Sequence, residues 1–491
     1  MSAPLRVLLA TAELYPLVKT GGLGDAVGAL ATALGACGVD VRVVLPCYAE
    51  VHDWLGHHTH TRARRLTPAV DVIEARLDDG TTLCLVRDDA LYARAGGPYT
   101  DADGVPWHDN AHRFATFCRA VTTLAGGGVD GWQPDVVHAH DWHAGLVPAF
   151  LAGTAPRPAC VFNIHSLAHQ GQFDRQTFDV LGLDPAWWSP RYLEFYGQWS
   201  FMKAALVFAD RLVTVSPTYA DEILGPAFGC GLEGVLATRR EQLHGILNGV
   251  DYAIWDPAHD AFIDAHYGIA SREHKRAVKR ALQHEFALPP RDDAFVIGHV
   301  GRLCAQKGSD LIAAHADTLL ADPRVQLVVL GSGEPALADA LASVCARHPQ
   351  QARLHVGYSE TLAHHVIAGA DVFLMPSRFE PCGLTQLYAL TYGTLPVVHA
   401  TGGLVDTVID VAPATLDDGS ACGFVFTPLE TMAASVARAH ALFRDEPRTR
   451  HTLTGNAMRR RFGWDTAARA YLDVYQAALA DSSPRGREAT P

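Results

Sequence analysis

Short apolar runs, each followed by a loop and a stretch of helical composition, recur along this chain, and the series begins twice. Arg6-Val7-Leu8-Leu9-Ala10 leads into Lys19-Thr20-Gly21-Gly22-Leu23-Gly24-Asp25, then into Ala26 to Cys37 and Val39 to Leu45, which reads as a strand–helix–strand unit. Asp135 to Ala139, Ala159 to Ile164 and Arg211 to Val215 repeat the strand signal as buried parallel strands do. After a charged helical stretch, Arg272 to Ala287, and the turn Leu288-Pro289-Pro290, the pattern starts again. Its strands are Phe295 to Val300, Gln326 to Leu330 ahead of Gly331-Ser332-Gly333-Glu334, Asp371 to Met375, and Leu395 to Val398. Two successive doubly wound α/β units account for this most simply, joined near Leu247 to Asp256, with a cleft between them. The expected division is residues 1–250 and 251–464, then a last amphipathic helix within 465–480 (Thr466 to Ala480), then a mobile tail, Asp481 to Pro491.

At 491 residues, 48% of them hydrophobic and 19% charged, the chain has apolar surface for more than one core, so global disorder and small disulfide scaffolds are excluded. Forty Lys and Arg against 53 Asp and Glu leave a net charge of -13, which disfavours duplex nucleic acid as a general partner and confines any phosphate site to a local basic cluster. The first apolar run breaks at Glu13 and fits neither a signal peptide nor an anchor, and no apolar stretch is long enough to span a bilayer. A cytoplasmic protein is expected. The ten cysteines form no CxxC pair and read as reduced, mostly buried residues.

Four segments carry chemistry. The glycine-rich loop after the first strand suits a pyrophosphate cradle, and equally a tight βα turn; Lys19 and Asp25 around its glycines favour a ligand with phosphate and hydroxyls. Arg302 and Lys307 follow a strand's carboxyl end, where open α/β sheets bind ligands and two cations can hold a departing phosphate. Ser377 through Thr385 joins a strand to a helix, placing the Gly383, Leu384 and Thr385 amides at its N-terminus with Glu380 beside them. His138, His140, Asp141 and His143 resemble a metal cluster only superficially, because no second ligand group with zinc spacing accompanies them; no metal is expected. His165, also at a strand end, is the better substrate contact. No GxSxG elbow is present.

Together these segments resemble the bacterial glycogen synthases and plant starch synthases, retaining glucosyltransferases of the GT-B fold that use ADP-glucose. The matching residues are Lys19 to Asp25, His138 to Ala144, Ile246 to Asp251, Arg302 to Gly308, Ser377 to Gly393 and Thr401 to Leu404, spread over nearly the whole chain. The resemblance implies that Lys19, Gly21, Gly22 and Gly24, with Asp25 nearby, contact ADP-glucose, and that Arg302 and Lys307 clamp the departing ADP. It assigns Glu380 as the essential carboxylate on the donor glucose, gives Gly383, Leu384 and Thr385 amide contacts beside the phosphate clamp, and places Cys382 among the substrate-binding residues. Asp141, His165 and Asn248 would hold glucose hydroxyls, and Tyr358 would lie near adenine. The last helix would cross back to the first domain. Where the family reads His-Asn-Leu-Ala-Tyr-Gln-Gly, this chain has His165-Ser166-Leu167-Ala168-His169-Gln170-Gly171. Tyr388 stands where many other GT-B enzymes carry a second, ribose-binding glutamate.

The implied reaction moves glucose from ADP-glucose to the 4-hydroxyl at the non-reducing end of an α-1,4-glucan, with no cofactor beyond the substrates. No second carboxylate pairs recognisably with Glu380, so double displacement lacks a named nucleophile, while front-face displacement requires only the cation clamp and positioning; both routes stay open. Lys19 and the Arg302/Lys307 pair belong to different expected domains, which implies closure around one pyrophosphate. The rival readings are a sucrose- or trehalose-type transferase using UDP-glucose and a catalytically silent glucan-binding protein. Tyr99, Trp142 and Trp199 are either glucan platforms or packing.

Overall fold

The computed structural model describes residues 3–58, 62–127 and 131–482. By internal contacts the chain forms two compact units, Met1–Gly249 with Trp464–Pro491, and Val250–Gly463. In chain order the first contains strands β1 (Arg6–Ala10), β2 (Asp40–Pro46), β3 (Arg62–Arg65), β4 (Asp71–Arg76), β5 (Thr82–Arg87), β6 (Val136–His140) and β7 (Ala159–Ile164). It continues with β8 (Gln172–Phe173), β9 (Glu194–Phe195), β10 (Gln198–Ser200), β11 (Arg211–Thr214) and β12 (Leu243–Gly245). The second contains β13 (Phe295–Val300), β14 (Val325–Gly331), β15 (Ala352–Val356), β16 (Val372–Met375), β17 (Leu395–His399) and β18 (Phe424–Phe426).

The first unit's main sheet has the order β12-β11-β7-β6-β1-β2-β5-β4-β3. From β12 to β5 every pairing is parallel, and each residue of β6 and β7 is buried, as the continuous apolar runs predict. The far edge departs from the wholly parallel expectation, because β4 runs antiparallel to both β3 and β5. These strands are rich in charge, held by pairs such as Arg42–Glu74 at 3.2 Å and Arg65–Asp71 at 2.8 Å, and a half-solvated hairpin needs no apolar run. A small antiparallel sheet, β8-β10-β9, lies outside the doubly wound pattern.

The helix Trp464–Ser482 belongs to the first unit, packed on the helix Gly22–Ala36 and on β7 and β11. Trp464, Ala467, Ala468, Tyr471, Val474, Tyr475 and Ala478 make its buried stripe, at the spacing of one helical face. It extends beyond the expected Ala480: Asp481 is helical and pairs with Arg211, so the tail does not begin there. The rest of the expected tail, residues 483–491, lies outside the described residues. The helix Gly22–Ala36 likewise starts before Ala26, so half of the expected glycine loop is its first turn.

The second unit is a six-stranded, wholly parallel sheet in the order β15-β14-β13-β16-β17-β18. Its strand order reverses between β13 and β16, and in the first unit it reverses between β1 and β6; open α/β sheets bind ligands beyond the carboxyl ends of such strand pairs. The expected Arg272–Ala287 helix is the shorter Lys275–Glu285, preceded by a 3-10 turn. All ten cysteines are free thiols, six of them buried. Among the described residues no helix is long and apolar enough to cross a membrane.

Two measurements test this packing. Tyr475 is fully buried, so Tyr475→Ala should lower the unfolding free energy by about 3–5 kcal/mol in urea titration. His299 on β13 is buried with its Nδ1 2.9 Å from the Leu374 carbonyl, and burial pushes its pKa down to about 4. The unfolded imidazole takes a proton near pH 6.5, so stability drains away as pH falls from there toward 4. Between pH 7 and 5 the chain should therefore lose about 2 kcal/mol more than a His299→Gln variant does.

Candidate active site

In the first unit the loop after β1 is organised by a buried carboxylate to which no sequence motif gives a chemical role. Glu13, only 4% exposed, accepts the Thr20 and Gly21 amides on Oε2 at 2.7 and 3.0 Å, and the Tyr99 hydroxyl on Oε1 at 2.5 Å. Two of the loop amides expected to cradle phosphate are thus held by this carboxylate, whose pKa burial raises. Gly24 sits at the first helical turn, where a Cβ would meet the Val18 carbonyl oxygen at 3.1 Å. Lys19 pairs with Asp25 at 3.0 Å, and its ammonium lies 5.5 Å from the Tyr15 ring centroid. Gly21 faces open space and Gly22 starts the helix.

The loop after β6 begins at Asp141, held at a φ of 58°. Its amide donates to the Asn163 carbonyl at 2.9 Å, and its carboxylate accepts the Trp142 amide at 3.2 Å. Burial raises the Asp141 pKa well above the carboxylate range, and the Glu13 charge adds to the effect. His165, at the end of β7, has Nε2 2.8 Å from Asn163 Nδ2 and 3.1 Å from His140 Nδ1. Desolvation lowers the pKa of His138 and His165 to about 3 and that of His140 and His143 well below the usual value, so all four are neutral near pH 7. Asn248, beyond β12, is 6% exposed. Lys19, Asp141, His165 and Asn248 thus follow the carboxyl ends of strands in one sheet.

Of the candidate aromatic platforms, Trp199 is fully buried among Phe173, Phe178 and Phe201 and is packing. Trp142 packs edge-on against Phe114 and Phe201, and Tyr99 stacks on His143 with centroids 4.5 Å apart. His138 bonds Tyr475 and His140 faces His165; among the described residues no three His, Cys, Asp or Glu side chains form a metal-ligand group.

In the second unit the loops after β13 and β16 meet. Lys307 Nζ lies 2.5 Å from Glu380 Oε2, which also accepts the Ser377 hydroxyl at 3.0 Å. Glu380 is 5% exposed, whereas Arg302 is exposed and donates to Gln306 Oε1 at 2.7 Å. The two loops are stitched by Arg378–Asp310 at 2.7 Å and by the Arg378 amide to the Gln306 carbonyl at 2.8 Å. Gly308, at φ 73°, permits the close approach, since a Cβ there would lie 2.2 Å from the Pro376 carbonyl oxygen. Gly383 is also left-handed, at φ 70°, and a Cβ would strike Gln386 Oε1 at 2.3 Å. The following helix starts at Thr385, with Leu384 as its cap residue. Cys382 is buried, Tyr388 stacks on Trp255 with rings 4.0 Å apart, and Tyr358 stands 70% exposed with its hydroxyl on Glu360.

Arg302, Lys307, Glu380, Cys382, Gly383, Leu384 and Thr385 are therefore brought to one strand-order reversal. Sequence spacing did not reveal the Lys307–Glu380 pairing, nor Ser377, Glu13 and Asn163 as partners, because each pairing depends on which strands become neighbours.

Residues 6–238 match the starch synthase catalytic domain, and residues 282–460 match glycosyl transferases group 1. A glycogen synthase 2 from Nitrosococcus oceani is 48% identical over 478 residues, covering 96% of this chain and 97% of that protein. A glycogen synthase from Thioalkalivibrio sulfidiphilus is 47% identical over 483 residues, 96% of this chain and 99% of that one. The catalytic domain of starch synthase IV from Arabidopsis thaliana, solved bound to ADP and acarbose, matches with a TM-score of 0.85 at 28% identity, over 98% of this chain and 100% of that one. Sucrose-phosphate synthase from Thermosynechococcus elongatus shares the fold alone, with a TM-score of 0.60 at 18% identity over 97% of this chain and 99% of that one. The chain belongs to the family of bacterial glycogen synthases and plant starch synthases, glycosyltransferases of the GT-B fold.

Proposed function

We propose that this chain transfers glucose from ADP-glucose to the 4-hydroxyl at the non-reducing end of an α-1,4-glucan, with retention, in the cytoplasm. The observation that carries the reading is the Lys307–Glu380 pair, braced by Ser377 and flanked by Arg302, at the strand-order reversal of the second unit. A lysine has three donors, so Lys307 can hold Glu380 and still give hydrogen bonds to a phosphate oxygen. With Arg302 it supplies the positive charge that a departing diphosphate needs, and the reading calls for no cofactor or metal. Lys19 and the Gly21, Gly22 and Gly24 turn, with Asp25, are assigned to the same donor; Asp141, His165 and Asn248 to its glucose; and Tyr358 to its adenine.

Glu380 Oε2 is already held by an ammonium and a hydroxyl, which suits a fixed acceptor for sugar hydroxyls better than a covalent nucleophile. The route then favoured is front-face. The C1–O bond to the diphosphate breaks, the acceptor O4 bonds to C1 on the same face, and the hydroxyl proton passes to the departing phosphate oxygen.

Nucleotide release with glycogen as acceptor should be faster from ADP-glucose than from UDP-glucose. The opposite order would support a UDP-glucose-dependent transferase, and glycogen binding without nucleotide release would support a silent binding protein. Lys307→Ala should lower turnover by about 10²- to 10³-fold, and near-normal turnover would reject the clamp. Because that variant strands a buried carboxylate, Lys307→Ala combined with Glu380→Gln should regain thermal stability without regaining turnover.

A further inference from the structure

Beneath His165 runs a buried polar relay that the proposed reaction does not use. The Tyr471 hydroxyl, on the helix Trp464–Ser482, donates to Asn163 Oδ1 at 3.0 Å, and Asn163 Nδ2 faces His165 Nε2 at 2.8 Å. An amide nitrogen only donates, so the nitrogen it faces must be the unprotonated one. His140 agrees: its Nδ1 lies 3.1 Å from the same His165 Nε2, while its own Nε2 is buried without a hydrogen-bond partner. An orphaned acceptor is tolerated better than an orphaned N–H, so His140 carries its proton on Nδ1 and points it at His165. His138 repeats the arrangement, with Nδ1 on the Tyr475 hydroxyl at 2.9 Å and Nε2 buried without a partner.

We infer that Tyr471 is a positioning residue: acting through the Asn163 amide, its hydroxyl fixes His165 in the tautomer that carries its proton on Nδ1. Nδ1–H is then the ring's donor to a hydroxyl of the bound sugar, the one part of the inference that rests on the function proposed above. Turning the Asn163 amide over would present Oδ1 to Nε2, draw the proton there and leave Nδ1 an acceptor.

The test uses the full chain with 15N-labelled histidine, the His165 signals being assigned by their loss in His165→Gln. Long-range 1H–15N correlation should show His165 protonated on Nδ1 in the unsubstituted chain, and Tyr471→Phe should introduce the Nε2–H form. Its kcat should fall about 10- to 100-fold with the KM for ADP-glucose changed by less than about threefold. Tyr475→Phe, which removes the other hydroxyl of the same helix face, should leave both the tautomer and kcat unaltered. Asn163→Asp, which can only accept, should convert His165 to the Nε2–H form. An Nε2–H signal in the unsubstituted chain, or Tyr471→Phe with the original tautomer and full kcat, would overturn the inference. Normal turnover in His165→Gln, alongside the expected tautomer change in Tyr471→Phe, would overturn the sugar contact while leaving the relay standing.

Discussion

Withdrawing a carboxylate from water as completely as Glu380 has been withdrawn costs several kcal/mol unless an opposite charge accompanies it. Lys307 is that charge, and it lies 73 residues away in the chain. The pair exists only because β13 and β16 are parallel neighbours whose following loops emerge on the same edge. Much of the local construction serves that meeting: Gly308 lets the Pro376 backbone approach, and Arg378 ties the second loop to Asp310 on the helix after the first. A side chain added at Gly308 would push apart the two loops that carry the charges.

The two units solve different electrostatic problems. The second concentrates ionised groups, Arg302, Lys307 and Glu380, where a diphosphate is assigned. The first builds its floor from imidazoles that burial keeps neutral, an amide and two phenols. Neutral groups held in a low-dielectric setting are suited to reading sugar hydroxyls, whose hydrogen bonds depend on direction more than on charge.

Strands buried on both faces were legible in the amino-acid order almost to the residue: Ala159–Ile164 and Phe295–Val300 are found as read, because a continuous apolar run has no other use in such a sheet. Arg62–Arg65 and Asp71–Arg76 were not, since a charged antiparallel edge carries no such run. The candidate site residues were chosen from motifs, while the side chains that partner them in the fold were hidden. Tyr471 and Asn163 are separated by 308 positions, Glu13 and Tyr99 by 86, and local spacing contains no information about strand order. The glycine loop shows the limit most clearly: its composition suggested a cradle for an anion, yet two of its amides already belong to Glu13.

The helix Trp464–Ser482 completes the core of a unit whose other residues end at Gly249. On the ribosome, β7 and β11 therefore emerge long before the helix that covers them. At about 5–20 residues per second, translating the intervening segment takes roughly 10 to 40 seconds. Through that interval the nascent first unit exposes the apolar seam that Tyr471, Val474 and Tyr475 later cover, which makes the seam a natural stretch for a chaperone to shield.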